Sequence, residues 1–333
     1  MGYEYVEHAD YRNRKFYGYA PAEFRKILDE LGLNMISGHT VMGRQHWDEE
    51  KQDFSDSWKW TVEDAAVLGQ KYVVSPSMDN SMRNKYDDFM RYMDVFNKCG
   101  DLCKANGMKF GYHNHDFEFS EKLNDKKLFD IMMTTLDPDQ VVIQLDIGNM
   151  YNGGAVAMEI VNQYPGRFEN LHVKDEIKAE GGREQYESCI IGEGIVNVKD
   201  VLDLATKIGG TKVYIIEQES YQGKTPMECV KRDLEIKIST LDSRNWLDFK
   251  KYFEIMQHPD FFKEQGFSQG FLKEQFDFLE NRTYSIKDSQ KNCKIEANPF
   301  TNNRRKIVES VYYSIIIPCT KYKSFFGRGF TSL

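Results

Sequence analysis

The chain has 333 residues, 41% of them hydrophobic and 29% charged, enough to bury a large core and ordinary for a globular protein. A net charge of −8 argues against a nucleic-acid surface, which needs clustered Lys and Arg to neutralise phosphates. No apolar run reaches bilayer-spanning length and no signal-peptide core opens the chain, so a cytoplasmic protein without a membrane segment is expected.

The chain opens directly on a strand, Tyr3–Val6, with no helix before it. An amphipathic helix follows, with Phe24, Ile27, Leu28 and Leu31 on one stripe and Pro21 in its first turn. One phrase then recurs: helix, Gly or Pro-Gly, short apolar run. It reads ILDELGLNMISGHT, DAAVLGQKYVVSPS, CKANGMKFGYHNH, VNQYPGRFENLHV and LATKIGGTKVYIIE. Further strands are predicted at Met35–His39, Tyr72–Ser75, Lys109–Tyr112, Val141–Asp146, Asn170–Val173 and Val213–Glu217. The helix before the fourth strand places Tyr86, Phe89, Met93, Phe96, Cys99 and Cys103 on a single stripe. Helices between successive strands imply parallel pairing with right-handed crossovers.

Seven such strands are one short of a closed (β/α)₈ barrel. The missing unit is most simply the first, which makes Met1 an internal position of a longer ancestor, with an N-terminal segment absent. Open barrel edges would favour self-association into a homo-oligomer. Residues 1–239 form the expected barrel, and residues 240–333 an irregular extension of unknown role. The extension carries +4 against −12 for the rest and is rich in Phe. Its run Val311–Ile317 reads as a strand that could close the barrel, but the expectation is an appended, poorly packed segment. The six cysteines show no disulfide framework, and Cys99 and Cys103 read as small core residues.

Four polar residues stand at the ends of successive apolar runs: Glu118, Asp146, His172 and Glu217, at intervals of 28, 26 and 45 residues. Three carboxylates and an imidazole make a hard, mixed ligand set suited to one divalent ion, Mn²⁺, Co²⁺, Zn²⁺ or Mg²⁺. His113 and His115 alternate on their strand and are expected to meet substrate hydroxyls or carry protons. His8 and His39 close their own strands at the same rim. Lys174 either meets a substrate anion or pairs with Asp175, the second being the safer reading. Asn149 is a candidate hydroxyl contact. Glu193 lies in the Gly192-Glu193-Gly194 loop, whose glycines fit a turn at least as well as a phosphate cradle. Trp47 is the best placed of three tryptophans to stack on a sugar ring.

In order along the chain, GYHNHDFEF, LDIGNMYNGG, LHVKD, IGEG and IIEQE resemble the sugar phosphate isomerase/epimerase family of xylose-isomerase-like TIM barrels. The resemblance spans about residues 1 to 235. It implies a divalent metal held by Glu118, Asp146, His172 and Glu217, and a small-molecule carbohydrate substrate. The chemistry expected is isomerisation or epimerisation through an enediolate, with Glu118 and Glu217 as base and acid, or with His113 or His115 as proton carrier. A lyase or dehydratase acting on keto-inositols or 3-keto-glycosides is the nearest alternative, and a non-catalytic metal- or sugar-binding barrel the next. A metal-dependent endonuclease is disfavoured by the acidic barrel.

Overall fold

A computed structural model describes residues 3–179 and 185–235, together with the backbone of Ser314–Pro318. These residues belong to one compact unit that takes in Met1–Ile236 and Ile307–Leu333. Seven parallel strands form its centre: β1 (Tyr5–His8), β2 (Asn34–His39), β3 (Tyr72–Ser75), β4 (Lys109–His113), β5 (Val141–Asp146), β6 (Asn170–Val173) and β7 (Val213–Ile216). The predicted strands recur within two residues at each end.

The eighth place is filled from the far end of the chain. β8 (Ser314–Pro318) lies between β7 and β1 and is antiparallel to both, with Ile316 opposite Ile215 on one side and Tyr5 on the other. The barrel is therefore closed. This corrects the expectation of an appended segment with open edges: a run of Ile residues satisfies two rows of backbone groups that would otherwise be exposed. The expectations for residues 240–313 and 319–333 lie outside the described residues.

Helices α1 (Pro21–Leu31), α2 (Asp56–Val67), α3 (Tyr86–Ala105), α4 (Leu128–Thr135), α5 (Ala157–Gln163) and α6 (Val198–Leu204) pack outside the strands. Pro21 opens α1, and Gly32 ends it in the left-handed conformation, φ 67°. On α3, Phe89, Met93, Phe96, Cys99 and Cys103 are buried as predicted, whereas Tyr86 is exposed. Gly100 shares that face because a Cβ there would come within 2.5 Å of the Gln140 carbonyl. The cysteines of the described residues are free thiols. No helix among the described residues is long and apolar enough to cross a membrane.

Strand alternation sorts side chains into two layers. Phe110 and Tyr112 of β4 face the helices with Phe96, while Val74, Val142, Val213 and Ile215 fill the barrel interior. Below them Glu169 ties the barrel floor together, accepting from Tyr72 Oη at 2.8 Å and Lys109 Nζ at 2.6 Å.

Candidate metal centre

Four strand ends deliver one cluster. His113 is the last residue of β4, Asp146 the last of β5, His172 the third of β6, and Glu217 follows β7 directly. Gln144 of β5 lies opposite His113 and Asp146 opposite His172, so the register sets their heights along the barrel. One ligand atom from each of His113, Asp146, His172 and Glu217 falls within 4.8 Å of every other. His172 Nδ1 is 2.6 Å from Glu217 Oε2 and 4.0 Å from Asp146 Oδ2, and His113 Nε2 is 3.8 Å from the same Asp146 oxygen.

The cluster fits a cation. Asp146 Oδ1 caps the short helix Ile147–Asn152, accepting from the amides of Gly148 at 2.8 Å and Asn149 at 2.7 Å. Its other oxygen is buried and makes no hydrogen bond among the described residues, with the Lys174 ammonium 3.3 Å away as an ion-pair neighbour. Leaving a buried carboxylate oxygen unsatisfied is costly, and an ion between two imidazoles and two carboxylates would satisfy it.

Side chains offset part of the carboxylate charge in the site. Lys174, fully buried, places Nζ 2.8 Å from Glu219 Oε2, 3.3 Å from Asp146 Oδ2 and 3.5 Å from Glu217 Oε1. Burial alone would raise the Glu217 carboxyl, but Lys174 and His172 outweigh it and hold it well below the usual carboxylate range. Burial likewise opposes charge on His172, yet Glu7 and Glu217 push it up to about 10. His113 goes the other way, well below its ordinary value, through burial and the neighbouring His172 and His39. Burial lifts Asp146 to about 6 against the pull of Lys174.

The structure brings some predicted site residues together and not others. Glu118 is the main correction: it sits on the short helix Phe117–Ser120, on the helix side of β4, where its carboxylate accepts from Tyr112 Oη at 2.5 Å and the His115 amide at 2.8 Å. It is therefore outside the cluster, and His113 stands in its place. Trp47 packs edge-on to Phe54 beneath Lys98. Glu193 pairs with Arg232. His8 is buried against Phe16 and Gly38 on the helix side, and burial pushes it down to about 3. The IGEG loop binds inward: Asp175 accepts from the amides of Gly192, Gly194 and Val196 at 2.8, 3.0 and 3.1 Å. Asp175 thus has no part in pairing Lys174.

Asn149 does reach the site, receiving Lys174 Nζ on Oδ1 at 3.1 Å and placing Nδ2 3.3 Å from His113 Nε2. His115 stands at the rim with its ring parallel to Phe117, and its Nδ1 lacks a hydrogen bond among the described residues. His39 turns into the barrel, its ring stacked on His172 at 5.3 Å between centroids.

Two residues that touch the cluster, Glu7 and Gln144, were not among the sequence-predicted site residues. Both are fully buried inside the barrel. Glu7 Oε1 is 3.0 Å from His172 Nε2 and 3.2 Å from His39 Nε2. The signal was a polar residue inside an apolar strand, in YVEH and in VVIQLD. A register shift between Val6 and Glu7, opposite Met35 and Ser37, resets the alternation of β2 so that Ser37 also meets Glu7.

Comparison with known proteins agrees with the barrel fold. The family model for the xylose isomerase-like TIM barrel matches residues 1–239. The chain is similar to the inosose dehydratase of Geobacillus kaustophilus, 26% identical over 172 residues, which are 46% of this chain and 54% of that protein. It spans about half the length of the first curated relatives it matches. Among solved structures, a sugar phosphate isomerase/epimerase from Parabacteroides distasonis superposes with TM-score 0.59 at 27% identity, covering 70% of this chain and 82% of that one. The IOLI protein with a binding zinc atom shares the fold, with TM-score 0.56 at 16% identity, covering 72% and 89%.

Proposed function

The chain belongs to the xylose isomerase-like TIM barrel family, and from that premise we propose that it is a divalent-metal-dependent isomerase or epimerase of a keto sugar or sugar phosphate. The observation that carries the reading is the convergence of His113, Asp146, His172 and Glu217 around a buried carboxylate oxygen that makes no hydrogen bond among the described residues. With His113 in place of Glu118 the set is two imidazoles and two carboxylates, which favours Zn²⁺, Co²⁺ or Mn²⁺ over Mg²⁺. A bound ion would polarise a substrate carbonyl and its neighbouring hydroxyl, lowering the cost of the enediolate.

The side chains supply the rest. Lys174 presents a fixed ammonium to negative charge growing on a substrate oxygen, and Asn149 holds that ammonium in place. Glu217, 11% exposed on its side chain, is the carboxylate of the set open to the rim and is assigned the proton at the carbon beside the carbonyl. His115, which follows β4 and whose buried Nδ1 makes no hydrogen bond among the described residues, is assigned the opposite face. Glu118 is not assigned a catalytic role.

The dehydratase reading shares the enediolate and differs only in expelling a hydroxyl from the next carbon. The curated relatives named inosose dehydratase favour it. Incubation of Mn²⁺- or Co²⁺-loaded protein with ketoses and keto-inositols in D₂O separates the two. Deuterium beside the carbonyl of a recovered sugar is expected for epimerisation, and water loss with enone absorbance for dehydration. Neither outcome across the panel overturns the catalytic reading in favour of a binding barrel.

A further inference from the structure

We infer that Glu7 and Gln144 are positioning residues that decide which ring nitrogen His172 and His113 present to the ion, an inference that rests on the metal reading of this site.

The Glu7 carboxylate lies in the barrel interior, below the cluster and away from the rim. Four polar groups surround it: His172 Nε2 at 3.0 Å, His39 Nε2 at 3.2 Å, Ser37 Oγ at 3.0 Å and Gln144 Nε2 at 2.9 Å. An ionised carboxylate only accepts, so each of these four must donate. His172 then keeps hydrogen on Nε2, and Nδ1, which gives its proton to Glu217 at 2.6 Å in the metal-free site, is the nitrogen freed for a metal.

The same carboxylate orients Gln144. With its amide nitrogen given to Glu7, Gln144 turns Oε1 to His113 Nδ1 at 3.1 Å and His39 Nε2 at 2.7 Å. His113 donates from Nδ1, which leaves Nε2 facing Asp146. The opposite side of that ring agrees independently. Asn149 receives Lys174 on its oxygen, so its Nδ2 faces His113 Nε2 as a donor and needs a lone pair there. One buried acid thus sets the polarity of a network that ends on both imidazole ligands. Groups that orient a ligating histidine in this way change metal affinity by about 10- to 100-fold.

The test is Co²⁺ titration of the full chain, read by affinity and visible absorption, with thermal melting of the metal-free protein alongside. Glu7→Gln keeps the volume but can donate, so the polarity reverses. The expected result is Co²⁺ affinity about 10- to 100-fold weaker, with an altered spectrum, and partial recovery of both in Glu7→Asp. If Glu7→Gln does not fold, Gln144→Met carries the test through His113 alone, with weaker affinity and an altered spectrum expected. Unchanged affinity and spectrum in the folded variant would overturn the inference while leaving the metal centre intact. Wild-type protein that binds no Co²⁺ overturns the centre itself, and the inference with it.

Discussion

The carboxylate of Glu118 is held 2.5 Å from the hydroxyl of Tyr112, in the layer between strand and helix and not inside the barrel. Burial raises its pKa from 4.5 to about 7 against the pull of that hydroxyl. A carboxyl raised in this way favours the protonated fold, so the wild-type chain loses stability as pH climbs through that interval. Glu118→Gln has no charge to bury. It should melt at or above the wild-type temperature at pH 8, converge with wild type near pH 5, and bind Co²⁺ unchanged. A large loss of metal affinity would return Glu118 to the ligand set.

Metal binding should release a proton. His172, raised to about 10 by its two carboxylate neighbours against burial, is protonated at neutral pH and must clear Nδ1 to ligate. Calorimetry in buffers of different ionisation enthalpy should find about one proton released per ion near pH 7, and affinity rising with pH. The metal-free protein should lose stability as pH rises from 6.5 through about 10, because the folded state holds that proton more tightly. Binding without proton release would contradict the arrangement.

Lys174 touches two of the proposed ligands, yet its charge repels a cation. Lys174→Met should lower kcat by about 100- to 1,000-fold, the usual effect of removing one oxyanion-stabilising donor, without weakening Co²⁺ binding. A variant that loses metal instead would make Lys174 a support for Asp146 and Glu217 and no more.

Asp175 organises the loop after β6 through three backbone amides. Asp175→Ala strands those donors and should cost about 2–3 kcal/mol in chemical denaturation. A cost within the range of a neutral surface substitution would show that the loop holds itself.

β8 closes the barrel between β7 and β1. A chain ending at residue 239 would expose both strand edges and should associate or melt without cooperativity. A monomer with wild-type melting would show that the seven parallel strands suffice.

The sequence by itself determined the barrel class, seven strands and three members of the cluster: Asp146, His172 and Glu217. Each is local information, a helix–Gly–strand period and a polar residue where an apolar run stops. Only the tertiary structure decided the fourth member, because His113 ends β4 facing the barrel interior while Glu118, on the short helix Phe117–Ser120 beyond it, turns back to Tyr112 on the helix side. It also decided the roles of Glu7, brought to His172 across 165 residues by barrel closure, and of Ser314–Pro318, which the sequence reading had set outside the barrel. Strand pairing over such distances depends on which edges remain unsatisfied once the rest has folded, and a linear pattern does not carry that information.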